Sequence, residues 1–171
     1  ISHILNNITQ SVRTYLIKNT LVSLLIGSLY TLITWLFGID FPIFWGFLAF
    51  TLNFIPNVGS LIATLFPVVF SLFQFDSLVS TIIMLILLVI AQNIVGNGIE
   101  PVVFAESLDL SPVLILIALI FWGFLWGIVG MLLAVPLTAT IKIICENIEQ
   151  LRPIAVLMGG NKNGKVKAVK L

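Results

Sequence analysis

The sequence predicts an all-α, polytopic helical membrane protein containing two Pro/Gly-interrupted pairs of short helices. Three observations carry that prediction. The 171 residues are 60% hydrophobic and 9% charged, with a mean hydropathy of +1.20, whereas a soluble domain is about a quarter charged. No Lys or Arg occurs between Lys18 and Lys142, and that interval is mostly Leu, Ile, Val, Phe, Ala and Gly. Its apolar runs either suit a crossing of ~20 residues or are shorter and broken by Pro and Gly.

The elements follow in order. Residues 1–19 carry apolar Ile4, Ile8, Val12 and Leu16 among polar neighbours, an i, i+4 stripe that predicts an amphipathic lead-in helix. The transmembrane helical domain covers 20–151. Its first span runs over 20–37 and stops at Gly38-Ile39-Asp40. Two short segments, 41–55 and 61–75, flank Pro56-Asn57-Val58-Gly59. A clean span covers 77–95, followed by a polar stretch to Glu100-Pro101 and a loop to Pro112. The pattern of a broken pair then returns, 112–126 and 131–150, around Gly127-Ile128-Val129-Gly130. Pro136 predicts a kink in the second member. Residues 152–171 form a basic tail, predicted to be cytoplasmic and disordered.

Charge placement predicts topology. All eight basic residues lie at Arg13 and Lys18 or at Lys142 and beyond. Positive residues favour the cytoplasmic side, so both ends are expected there, with an even number of crossings. Each short pair returns to its starting side whether it spans or re-enters. Asp40 and Asp76 are therefore expected outside, and Glu100, Glu106 and Asp109 inside.

The five carboxylates in the basic-free interval are the functional question, because charge at bilayer depth is costly and tends to face a bundle interior or a water-filled cavity. Asp40, Asp76, Glu106 and Asp109 read as boundary residues. Glu100 differs, since Gln92, Gly96 and Glu100 with Asn93 and Asn97 form i, i+4 sets that could line one polar stripe. A plain cytoplasmic loop is the competing reading. In the first break, Asn53 and Asn57 supply amides, Pro56 removes an N–H, and Gly59 opens a helix whose positive end could hold an anion. A connecting turn at headgroup level explains it equally well. The transport-pathway candidates are thus Asn53, Pro56, Asn57, Gly59, Gln92, Asn93, Asn97, Glu100 and Pro101. Gly123, Gly127, Gly130 and Pro136 are assigned to helix packing, through small-xxx-small spacing.

Two further features bear on organisation. The word Ile43-Phe44-Trp45-Gly46-Phe47-Leu48 recurs as Ile120-Phe121-Trp122-Gly123-Phe124-Leu125, 77 residues on. Interrupted segments in corresponding places point to a transporter's binding region, although the word precedes its break by different distances. Catalytic signatures such as His-Glu-x-x-His, Gly-x-Ser-x-Gly and the P-loop do not occur in this sequence. A single Cys145 and a single His3 in the leader offer no metal-ligand cluster. The expectation is a non-enzyme with no cofactor, no metal and no nucleic-acid partner.

Four words in order, Asn53 to Ser60, Ile99-Glu100-Pro101, Leu108 to Pro112 and Trp126 to Leu137, resemble the autoinducer-2 exporter family of bacterial membrane transporters. The resemblance runs from Tyr15 to Arg152. Asn57 departs from it, since relatives often place an aromatic residue there. The resemblance implies an inner-membrane protein of about eight spans of which this is the C-terminal portion. It also implies homo-oligomers and transport of autoinducer-2 or of Na+ and H+. The function expected is a permease or exporter for a small polar solute, such as a signalling molecule, or an ion. The alternative is a non-transporting scaffold of an envelope or sporulation complex.

Overall fold

A computed structural model describes residues 2–104 and 110–159. Glu106, Asp109, the tail from 160 onward and the side chain of His3 lie outside the described residues. The described residues are helical, without strands. They comprise α1 (Ser2–Leu36), α2 (Pro42–Leu52), α3 (Val58–Gln74), α4 (Leu78–Asn93), a π-helical segment (Ile94–Ile99), α5 (Glu100–Phe104), α6 (Pro112–Asn147), a 3-10 turn (Glu149–Leu151) and α7 (Arg152–Met158). The chain forms two compact units, residues 13–107 in one, residues 1–12 and 108–171 in the other.

In the first unit α1 runs through lead-in and first span without a break. Its buried face is Tyr15, Asn19, Val22, Ser23, Ile26, Tyr30 and Thr34, at three- and four-residue steps. The opposite face exposes Leu21, Leu24, Leu25, Leu32, Trp35 and Leu36. Polar side chains inside and large apolar ones outside invert the arrangement of a water-soluble bundle. Long apolar helices at 8–36 and 78–104 have the length and composition to cross a bilayer.

The first broken pair is a hairpin. At its open end Gln74 donates to the Gly38 carbonyl at 2.9 Å and accepts from the Asp40 amide at 3.0 Å. Asp40 and the end of α3, two residues before Asp76, therefore lie together, as the topology argument requires. With 11 residues, α2 rises about 16 Å, well short of a ~30 Å hydrocarbon core. Close approach to α1 is made by glycine on both sides. A Cβ on Gly46 would overlap the Thr31 hydroxyl, and one on Gly27 would stand 2.8 Å from the Gly46 carbonyl oxygen. Ile26, Tyr30, Trp45, Ala49, Ala63, Met84, Leu88 and Val95 form the buried core between these helices.

The structure decides between two readings here. The polar stretch after the 77–95 span is helix, as its i, i+4 sets suggest, and not a plain loop. Helix continues through the π segment and α5 to Phe104. Pro101 lies inside this continuous helix, where it withdraws one backbone N–H from the hydrogen-bond ladder.

In the second unit α6 is 36 residues long, but Gly127 has φ 63 and ψ −142 in its middle. Trp122 Nε1 donates to Thr138 Oγ1 at 3.3 Å, a pair that a straight helix would hold about 24 Å apart. The chain thus reverses at Gly127. Length alone would make this one long span; geometry makes it a second hairpin, the broken pair expected from sequence. Gly123 faces Met131, and Gly130 lies against the Trp122 carbonyl, where a Cβ would overlap it. The interruption sits at Gly127, while Pro136 stays buried within the helix. Lys142, nearly buried, pairs with Glu146 at 3.6 Å. Residues 152–158 of the expected disordered tail form α7, because Ala155 and Met158 are buried and the Met158 carbonyl accepts from the Ser111 amide at 3.0 Å.

The repeated word behaves similarly in both hairpins. Phe44–Trp45 and Phe121–Trp122 make edge-on pairs at 5.1 and 5.2 Å. The following glycine meets a close neighbour in each case, α1 for Gly46 and Met131 for Gly123. Their distances to the chain reversal differ, as the sequence shows.

Candidate functional site

The first unit carries polar groups in layers along its interior. At the tip of the α2–α3 hairpin, Asn53 lies beside the Glu100 carboxylate and donates through Nδ2 to Ser23 Oγ at 3.0 Å. Ser23 is fully buried and Glu100 half-buried. One turn from Ser23 on the same face of α1, Asn19 is 5% exposed and its Nδ2 has no hydrogen-bond partner among the described residues. Such an orphan donor is uncommon and costs about 1–3 kcal/mol.

A second layer lies closer to the Asp40 end. Tyr30, fully buried, shares a 2.6 Å hydroxyl–hydroxyl hydrogen bond with Thr64 and reaches Gln92 Oε1 at 3.5 Å. Beyond it Ser71 donates to Thr81 Oγ1 at 3.0 Å, both buried. Between these layers sit fully buried apolar residues, Ile26, Met84, Leu88 and Val95. Among the described residues the interior of this unit alternates polar stations with apolar layers.

The candidates from sequence divide accordingly. Asn53 and Glu100 are brought together, and Gln92 joins the Tyr30–Thr64 layer. The single stripe expected for Gln92 through Glu100 is split in two. Gln92, Gly96 and Glu100 are half-buried, whereas Asn93 and Asn97 are exposed and bond to each other, Asn97 Nδ2 to Asn93 Oδ1 at 2.8 Å. Wider π winding separates positions that an α-helix would stack. Pro101 is exposed. Pro56 and Gly59 shape the tip rather than face a solute. Gly59 is buried where a Cβ would overlap the Leu52 carbonyl. Asn57 is exposed and adopts φ 62 with ψ −50, a strained γ-turn closed by the Val58 amide on the Pro56 carbonyl at 2.7 Å. The anion cradle expected at this helix start does not form. The amides of Val58, Gly59 and Leu61 donate to the carbonyls of Pro56, Ile55 and Asn57.

Ser23, Asn19, Tyr30 and Thr64 join the candidates on geometry alone, and sequence reasoning missed them. A faint signal was present in α1, where Tyr15, Asn19 and Ser23 recur every four residues within an apolar helix.

Comparison with known proteins bears on this arrangement. The family model described as AI-2E family transporter matches residues 1–150. The chain belongs to the AI-2E transporter family. A Borreliella burgdorferi protein whose name designates it a transport protein is 41% identical over 159 residues, 92% of this chain and 44% of that protein. The AI-2 transport protein TqsA of Escherichia coli (strain K12) is 36% identical over 148 residues, 86% of this chain and 43% of TqsA. YhhT of the same organism, also named as a transport protein, is 35% identical over 155 residues, 91% of this chain and 44% of its own. The chain thus spans less than half the length of these relatives. Family membership and the apolar helices together make it a multi-pass bacterial membrane protein embedded in the lipid bilayer.

Proposed function

We propose that this AI-2E family chain forms part of a transport pathway for a small polar solute or ion, with Glu100 as the coupling carboxylate. One observation carries the proposal: a half-buried carboxylate sits in an apolar helix bundle beside an asparagine at the tip of a broken helix pair. Ionisable groups within membrane helices are costly, and they mark substrate or ion pathways. Broken helices at membrane depth are tolerated where protein or a water-filled cavity satisfies the freed backbone. The unpartnered amide of Asn19 and the hydroxyls of Ser23 and Tyr30 add neutral hydrogen-bonding groups along the same interior.

Since TqsA is named for AI-2 transport, a signalling molecule of that kind is the first solute to test, followed by Na+ and H+. The basic ends place Lys18 and Lys142 towards the cytoplasm, and a homo-oligomer is the assembly the family resemblance implies. The complete protein reconstituted in vesicles, assayed with these solutes, tests the proposal. Glu100→Gln keeps the size and one hydrogen-bond acceptor but cannot ionise, so flux is expected to fall by ~10-fold or more, the scale of one lost charge-assisted contact of ~1.5–3 kcal/mol. Parent flux from Glu100→Gln at normal membrane level removes Glu100 from the mechanism. No flux of any solute by the parent protein favours the scaffold reading.

A further inference from the structure

Between the two polar layers the helix changes its winding. Ile94–Ile99 is a π-helix, in which hydrogen bonds reach five residues back instead of four. It separates Gln92, in the Tyr30–Thr64 layer, from Glu100, beside Asn53. Gly96 and Gly98 lie within it and neither is required by packing. A Cβ on Gly98 would meet nothing within 4 Å, and one on Gly96 only the Gln92 amide nitrogen at 4.0 Å. Neither has a positive φ. Glycine is among the weakest helix formers, so two of them here loosen the local winding without any packing return.

We propose that Ile94–Ile99 is a rotary switch for Glu100, in which passage from π to α winding turns the helix beyond it and carries the carboxylate off Asn53. The proposal rests on the reading of Glu100 as the coupling group. A shift of one residue in register is a rotation of ~100° at 3.6 residues per turn. Backbone hydrogen bonds are exchanged rather than lost in that passage, leaving the small energy difference between packings that a two-state element requires. Asn53 retains its bond to Ser23 after release, so the hairpin tip keeps an anchor. Phe104, four residues beyond Glu100, packs on Tyr15 with ring centroids 5.5 Å apart and turns with it.

The Tyr15–Phe104 contact supplies a reporter that leaves the site intact. In the complete protein carrying Cys145→Ser, a short bifunctional thiol reagent should join Tyr15→Cys to Phe104→Cys. Adding Gly96→Ala with Gly98→Ala, for which there is space, favours α winding. Crosslinking and flux are both expected to fall several-fold at normal membrane level. Deleting Gly98 instead removes the extra residue while keeping Glu100 towards Asn53, so crosslinking is retained and flux is lost. Parent crosslinking together with parent flux in the double alanine variant overturns the switch, as does parent flux after the deletion. Parent flux from Glu100→Gln defeats the coupling reading alone, because the crosslinking arm still reports the winding. A defective Glu100→Gln beside a fully active double alanine variant defeats the switch alone.

Discussion

Asn53 stands between two groups that would each be costly to bury alone, the Glu100 carboxylate beside it and the Ser23 hydroxyl it bonds. Replacing it with Leu leaves both without this partner, at about 1–3 kcal/mol each for buried polar groups and more for a charge. Asn53→Leu should therefore lower the unfolding midpoint of the purified complete protein and reduce flux; an unchanged midpoint would mean that water serves both groups equally well. Tyr30→Phe removes the neutral bonds to Thr64 and Gln92, and hydrogen bonds between membrane helices average ~0.6 kcal/mol each. A loss above ~2 kcal/mol in the same assay would contradict that estimate. Legibility at this scale followed the rarity of the residue. Asn53, Gln92 and Glu100 stand out in so apolar a chain. Ser23 and Tyr30 do not, because small hydroxyls in helices commonly bond their own backbone, as Thr20, Ser28 and Thr31 do here with the carbonyl four residues back. Only packing shows which of them turns to another helix.

The helical hairpins depend on glycine at two kinds of place. Gly127 adopts φ 63 with ψ −142, a region essentially confined to glycine. Gly127→Ala should cost ~1–3 kcal/mol in unfolding free energy, with no packing clash to confuse the result, since its Cβ would meet nothing within 4 Å. Gly46→Ala acts by sterics instead, driving a Cβ into Thr31 on α1. Overpacking of that kind costs ~1–3 kcal/mol, and Thr31→Ala should recover only part of it in a double-mutant cycle, because the Gly27 carbonyl oxygen would stand 2.5 Å from the same Cβ. Additive effects in that cycle would place the clash elsewhere. The breaks themselves were legible, because Pro, Asn and Gly interrupt otherwise apolar runs at 56–59 and 127–130. The continuation of helix through Gln92–Phe104 was legible only as one of two readings. Polar residues followed by a proline also read as a loop until the bundle supplies their partners, and π winding has no pattern that periodicity reveals.

Across the described residues the decisive property is an apolar exterior, with Leu, Phe, Trp and Ile exposed on helices whose buried faces include Asn19, Ser23, Thr34, Ser71, Thr81 and Thr138. Composition made that legible in outline, while depth within the bilayer depends on contacts distant in sequence. Gln74 ties the Asp40 and Asp76 ends together. Single thiols from Asp40→Cys and Asp76→Cys should therefore react with an impermeant reagent from one and the same side; labelling from opposite sides would contradict the hairpin. The central claim is that the interior around Asn53 and Glu100 meets water while the outer face of the same helices meets lipid. Asn53→Cys tests it most directly, compared in a Cys145→Ser background with Leu24→Cys, which neighbours Ser23 in sequence and is 57% exposed on the other face. In the complete protein in membranes, a small aqueous thiol reagent should modify Asn53→Cys and be slowed by transported solute, while Leu24→Cys stays inert. Equal protection of both positions would contradict a pathway here.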